Sequence, residues 1–338
     1  MSRCTPISHS LENVTSTTLL SSISIIYPIN QAAMEGISMK LYAECISCQL
    51  QVRYREISML FNSEGERIEA MRRVVEELNR LLSSCDDKNS ARCIPTYIAT
   101  ELFRLVKRLS DTEDPYLRFK IELHKKLLDA YREASEWISM LGDLREKLLM
   151  AIKFSIAGNL LDMGVVNYKP PEAAELLRKT LTLEIHGDIN AALEIIEKAR
   201  NIVVILDNAG EAVLDRLLAD VLKSSGKNVT AVIKGGAFQN DVSINDAPYA
   251  ELEKSFSRVI DSGIDASSIF LSDVKKEVID AVVNADVIIS KGMANYEYLT
   301  EVENVIGRPI IYLFVAKCYP VSVYSGVPLW KPGVIVHV

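Results

Sequence analysis

A chain of 338 residues, 49% hydrophobic and 25% charged, carries enough apolar side chains for one large core or two ordinary ones, which excludes a disordered or fibrous class. Its formal charge of -7, with no long Lys/Arg run, excludes the electrostatic footprint of a nucleic-acid binder or a polybasic membrane patch and favours small ligands. Six cysteines over this length are too sparse for a small secreted scaffold, so reduced thiols or a metal pair are expected rather than structural disulfides.

Residues 1–38 are rich in Ser, Thr and Asn, hold no sustained period, and read as a loosely ordered extension. The apolar stretch at 19–29 is broken by Ser21, Ser22 and Ser24 and is too short to span a membrane. With Arg3 as the only positive charge before it, it also makes a poor signal peptide, so a cytoplasmic protein is expected. Met39 opens a more regular pattern and is a candidate start of translation. From there to about residue 156 apolar residues recur at the three-and-four spacing of amphipathic helices, over 67–84, 95–109, 115–140 and 144–155. A helical part over 39–195 follows.

Beyond residue 200 the period changes. NIVVIL at 201–206, NVTAVI at 228–233, DVII at 286–289 and PIIYLFV at 309–315 are short β-branched runs without polar alternation, the pattern of strands buried on both faces. Helical patterns at 211–223 and 272–285 lie between them. The β-α-β order implies an α/β domain over 196–338 with a doubly wound, mostly parallel sheet.

In such sheets ligands sit beyond the carboxyl ends of the strands. The loops there carry Asp207, Asn208 and Glu211 after the first run; Lys234, Gly235, Gly236 and Asp241 after the second; Lys291, Gly292, Asn295 and Glu297 after the third; and Lys317 and Cys318 after the fourth. Two Asp and one Asn supply the oxygen donors that hard divalent cations prefer. A helix starting at 211 would offer free N–H groups to a phosphate, and Lys317 a mobile ammonium. An Asp-Asn pair after a strand is more often an Asx turn or a helix cap, and it is the gathering of four polar loops at one edge that favours a site.

At these residues the sequence resembles the metal-dependent damage-control phosphatases, the family once catalogued as domain of unknown function 89. The stretches that carry the resemblance are DNAGE at 207–211, KGGAFQNDVSINDA at 234–247, SKGMANYEYLTE at 290–301, VAKC at 315–318 and AGNLLDMG at 157–164. ECISC at 44–48 is similar to the start of the shorter microbial branch, so the resemblance runs from about residue 39 to the end. It implies a helical amino-terminal part packed on a Rossmann-like sheet, and hydrolysis of sugar phosphates or damaged phosphometabolites with manganese, cobalt, nickel or magnesium. It also implies metal ligands at Asp207, Asn208 and Asp241, a catalytic set of Asp207, Asp241 and Lys317, and a substrate cleft lined by Asn159, Glu211, Asn295, Glu297 and Lys317. Residues 1–38 have no counterpart in the family pattern. Attack by a bound water and attack by Asp207 or Asp241 through an aspartyl-phosphate both stay open.

Two rival readings share the architecture. A nucleotide- or cofactor-binding enzyme such as a methyltransferase or dehydrogenase lacks its fingerprint, because neither G-x-G-x-x-G nor G-x-x-x-x-G-K-[ST] stands after a strand. A non-catalytic metal or thiol interaction module would use the helical half as its functional surface; Cys45 and Cys48 form a lone C-x-x-C, a weak signal that Cys318 could join. Cys85 and Cys93 read as incidental flanks of a loop, and no histidine falls in the four loops, which gives a histidine-based zinc or serine-hydrolase site no support. Trp330 and Tyr324 read as packing residues.

Overall fold

A computed structural model describes residues 39, 41–85, 93–159 and 173–338; the expected extension and residues 160–164 of the AGNLLDMG stretch lie outside them. Helices α1 (Ala43–Leu60), α2 (Glu64–Ser83) and α3 (Pro95–Ser110) come first and close a small core of Ile57, Val74, Leu78, Ile98 and Leu102. A capping box starts α2: Glu66 N–H donates to Ser63 Oγ and Ser63 N–H donates to Glu66 Oε2, filling two otherwise orphaned donors. Cys85 and Cys93 are joined by a disulfide, which corrects both the expectation of reduced thiols and the reading of this pair as incidental. The return of the chain from α2 to α3 brings their Cα atoms to 5.2 Å, a separation that a disulfide spans, and nothing local in the sequence announces it.

Next come α4 (Leu117–Ser139), α5 (Leu144–Asn159) and α6 (Ala173–Leu181). The helix expected from residue 115 begins two residues later, because Asp114 Oδ1 accepts the Tyr116 N–H and holds Pro115 and Tyr116 in a turn. The rest of the chain is β1 (His186–Gly187), α7 (Ile189–Lys198), β2 (Asn201–Ile205), α8 (Glu211–Ser224), β3 (Asn228–Ile233), α9 (Ala247–Ala250), α10 (Leu252–Ser255), β4 (Arg258–Asp261), α11 (Lys276–Val283), β5 (Val287–Lys291), α12 (Met293–Ile306), β6 (Ile310–Val315), α13 (Tyr319–Ser325) and β7 (Pro332–His337).

The sheet runs in the order β1-β7-β6-β5-β2-β3-β4. From β6 to β4 every pairing is parallel, whereas β7 is antiparallel to β6 and β1 parallel to β7. This is the expected doubly wound, mostly parallel α/β architecture. Alternate residues of one strand enter two different cores. Ile202 and Val204 of β2 meet α4, α5, α7 and α8 on one face, and Val203 and Ile205 meet α11, α12 and α13 on the other. Burial on both faces, with each aliphatic side chain contributing about 1.5–3 kcal/mol, is why these runs contain no polar alternation. Because α4 and α5 share a core with the strands, residues 38–338 cluster as one compact unit. The sequence boundary at 195/196 falls inside α7.

The chain steps from β2 outward to β3 and β4, then crosses back to place β5 and β6 on the other side of β2. The order therefore reverses between β2 and β5, and a crevice opens at their carboxyl ends, where open α/β sheets take their ligands. Among the described residues, no helix is long and apolar enough to cross a membrane.

Candidate functional site

From β2 the chain passes through Leu206 into Asp207 and Asn208. Val242 N–H donates to the Asp207 carbonyl (2.9 Å) and Ala209 N–H to the Asn240 carbonyl (2.8 Å), so Asn208 and Asp241 stand opposite each other in an isolated antiparallel bridge. Bonds in that arrangement mark the closely spaced kind of pair, with Cα atoms roughly 4.5 Å apart and both side chains on one face. The loops after β2 and β3 are thereby zipped together at the residues expected to share an ion.

Asp207, Asn208 and Asp241 are all nearly buried, at 7%, 5% and 5% exposure. Asp207 Oδ2 accepts from Asn159 Nδ2 (3.1 Å) and from Asn208 Nδ2 (2.7 Å). The same two amides donate to Glu211 Oε2, at 2.9 and 3.0 Å. Asn208 Oδ1 accepts from Asn240 Nδ2 at 2.9 Å. Lys234 Nζ lies 3.4 Å from Asp241 Oδ2 and donates to the Ser267 carbonyl at 2.7 Å. Asn159 reaches this group because α5 runs close over the start of α8: a Cβ on Gly158 would stand 3.0 Å from the Glu211 Cα.

Gly292 forms the opposite wall. Its backbone has φ +77° and ψ 166°, a region that side chains disfavour, and a Cβ there would collide with the Asp207 carboxylate. Gly292→Ala is expected to destabilise the fold by about 1–3 kcal/mol and to displace Asp207 from its amide partners. A chemical-denaturation curve beside a divalent-metal titration checks both effects.

Beneath these groups lies a fully buried ion network. Lys291 Nζ donates to Glu211 Oε1 (2.5 Å), to Asp215 Oδ1 (2.8 Å) and to the Ser155 carbonyl (2.7 Å), which uses all three ammonium protons. Burial pushes the Asp215 carboxyl up to about 6, although Lys291 works against the shift, while Asp215 and Glu211 keep the lysine charged against its own desolvation. Lys291 was marked in the sequence as part of the third polar loop, but its partners Asp215 and Ser155 were not, because what joins the three is the crossing of α5, α8 and β5.

The remaining predicted residues come from the segments that follow β5 and β6. Asn295 is buried, with Oδ1 accepting from Ser268 Oγ (2.8 Å) and Nδ2 donating to the carbonyls of Lys291 (2.9 Å) and Leu206 (3.3 Å), so its amide braces strand ends. Lys317 is half-buried beyond β6, with its N–H directed at Met293 Sδ (3.1 Å). Glu297 sits in the electrostatic neighbourhood of Cys45, Cys48 and Cys318, where burial alone pushes its carboxyl up to about 8. Burial followed by Glu297 pushes the thiols of Cys45 and Cys318 up to about 11 and 12. The three thiols therefore share a region but are held protonated, and among the described residues no three His, Cys, Asp or Glu side chains gather at metal-ligand spacing.

Protein stability records the Glu297 shift with a definite sign. A carboxyl whose folded value lies near 8 stays protonated where the unfolded chain has already ionised, so the fold loses stability as pH rises from about 4.3 through 8. Glu297→Gln is expected to match wild type near pH 4 and to exceed it increasingly up to pH 8, with a constant gap above. Thermal melts of metal-free protein across that range measure it.

At the start of α8 several N–H groups have partners within the protein: Ala209 N–H donates to the Asn240 carbonyl, Gly210 N–H to His124 Nδ1, Ala212 N–H to the Asn208 carbonyl and Val213 N–H to the Gly210 carbonyl. Two loops zipped side by side and a helix pressed against them thus narrow the set of donors that the sequence offered to a phosphate.

The fold and site thus define an α/β protein with a Rossmann-like strand order and a buried set of carboxylate and amide oxygens at its switch point. A model of the damage-control phosphatase ARMT1-like domain matches residues 41–330, and the chain belongs to that family. An uncharacterised protein of Methanocaldococcus jannaschii is 33% identical over 298 residues, covering 86% of this chain and 94% of the relative. A damage-control phosphatase of Archaeoglobus fulgidus is 32% identical, with 86% and 96% covered. The crystal structure of a family member from Pyrococcus horikoshii, described as a DUF89 protein, superimposes with a TM-score of 0.72 at 28% identity, covering 87% of this chain and 98% of that one.

Proposed function

We propose that this chain is a divalent-metal-dependent phosphatase of small phosphate monoesters, working in the cytoplasm without nucleic-acid or membrane partners. The observation that carries the reading is the backbone bridge between Asn208 and Asp241, with the Asp207 carboxylate accepting from the Asn208 amide, which joins the loops after β2 and β3 at these residues beside the switch of the sheet. The set fits a hard cation: its donors are oxygens, and Gly292 leaves the Asp207 carboxylate a cradle that any side chain would fill. Asp207, Asn208 and Asp241 would hold the ion, with manganese, cobalt, nickel and magnesium as the candidates. When bound, such an ion supplies Lewis-acid polarisation of a phosphoryl oxygen and acidifies a water.

The chain's own residues do the rest. Asn159 straps Asp207 to Glu211 through one amide nitrogen, so neither carboxylate can rotate alone. Lys291 fixes Glu211 from below, and Lys234 offsets the charge of Asp241. Lys317, just beyond the end of β6, would meet phosphoryl oxygens, which a compact ammonium serves as a point charge. Asn295 keeps the ends of β2 and β5 in register, and Glu297 would line the substrate cleft. The relatives named damage-control phosphatases support the same activity.

A screen of sugar phosphates and other small phosphate esters against Mn2+, Co2+, Ni2+ and Mg2+ tests the reading. Hydrolysis should require the metal and disappear with a chelator. Undiminished hydrolysis after chelation, or none with any metal, would remove it.

A further inference from the structure

Two residues of α4 stand out by what they touch. Lys120 and His124 lie one turn apart, on one face of the helix, and both are fully buried. Lys120 Nζ donates to the Asp241 carbonyl (3.3 Å), to Ser243 Oγ (3.0 Å) and to Asp246 Oδ1 (2.7 Å), and pairs with Asp114 Oδ2 at 2.8 Å. His124 Nδ1 accepts the Gly210 N–H at 3.1 Å, so its proton sits on Nε2, which donates to Asp246 Oδ2 at 2.8 Å. Asp246 also accepts from the Ser243 N–H (3.1 Å) and Oγ (2.5 Å). One helix thus grips the loop after β2 through His124 and the loop after β3 through Lys120, with the Asp246 carboxylate joining the two grips. Gly210, at φ +77°, lets α4 come this close, since a Cβ there would strike Leu123.

We infer that Lys120, His124 and Asp246 are positioning residues that set the register of the two loops, and so the metal affinity of the Asp207, Asn208 and Asp241 set, without touching the ion. The inference rests on the proposed metal site. Burying a lysine and two carboxylates costs more desolvation than an apolar core of the same volume, and stability alone does not require it. What the network does that apolar packing cannot is fix hydrogen-bond register at Gly210, two residues past Asn208, and at the carbonyl of Asp241, within the Asn208–Asp241 bridge itself. Groups that orient ligands from behind have effects of this kind.

The test is Mn2+ binding by calorimetry on chelator-stripped full-length protein: wild type, Lys120→Met, Lys120→Arg, His124→Gln, His124→Asn and the double variant Lys120→Met/His124→Gln, each melted without metal to confirm folding. Lys120→Met and His124→Gln should weaken Mn2+ binding by roughly tenfold to a hundredfold. The double variant should be scarcely weaker than the worse single one, because both act through one network. His124→Asn keeps an oxygen near the Nδ1 position for Gly210 and should bind better than His124→Gln. Hydrogen exchange at the Gly210 amide should quicken in His124→Gln even in metal-free protein. If folded variants bind Mn2+ as wild type does, or Gly210 exchange is unchanged, the network serves stability alone and the inference falls while the site reading stands. If wild type itself binds no Mn2+, the site reading falls and takes the inference with it. Should Lys120→Met not fold, Lys120→Arg and the two His124 variants decide.

Discussion

Lys291→Met is expected to destabilise the protein by roughly 3–5 kcal/mol, because it strands two carboxylates in a place that water does not reach. Lys291 is 0% exposed, and its ammonium answers Glu211 and Asp215, which are 0% and 1% exposed. A methionine fills much the same volume, so the loss comes from uncompensated charge rather than from a cavity. Adding Glu211→Gln and Asp215→Asn to the same chain should return part of the stability, since those replacements remove the stranded charges. Urea unfolding of the single and triple variants measures this. A triple variant no more stable than the single one would mean that the lysine acts through packing instead.

Asp207→Asn should lower phosphatase activity by about a thousandfold or more while leaving the fold nearly as stable. The carboxylate is the proposed charged donor that the loop after β2 gives to the ion, and an ion that stabilises transition-state charge is worth several kcal/mol, each 1.36 of which is a factor of ten. An asparagine keeps the shape and can still meet the amides of Asn159 and Asn208, which now contact Asp207 Oδ2. The loss should therefore appear in kcat and in the Mn2+ concentration needed for activity, with a small change in melting temperature. Steady-state kinetics over a metal titration separates these quantities.

How much of this was readable beforehand follows from where each interaction originates. Strands β2, β3, β5 and β6 were plain because both faces of each are buried, which leaves an unbroken apolar run. β4 was missed: it has four residues at the sheet edge, with Arg258 exposed. β7 was missed because it pairs antiparallel at the end of the chain, outside the β-α-β rhythm that guided the reading. The helix expected at 272–285 begins only at Lys276, since Asp273 and Val274 bond back to the Phe270 carbonyl in a turn.

Asp207, Asn208 and Asp241 were legible as motif residues at strand ends, and the loop bridge brings two of them face to face. The supporting residues were not. Lys120 and His124 lie more than a hundred positions from Asp246 and carry no local signal, because α4 has an ordinary apolar stripe and its polar residues on the buried side look like breaks in it. The absence of histidines from the four loops was correctly read, yet His124 still reaches Gly210 from a helix. Ser155, Asp215 and Lys291 came together only once α5, α8 and β5 were placed in space.

The central claim is that one cation binds between the loops after β2 and β3. Crystals grown with Mn2+, with diffraction collected at the manganese absorption edge, test it directly. A single anomalous peak is expected roughly 2–2.3 Å from side-chain oxygens of Asp207, Asn208 and Asp241. A peak elsewhere in the molecule, or one that touches only one of the two loops, would contradict it.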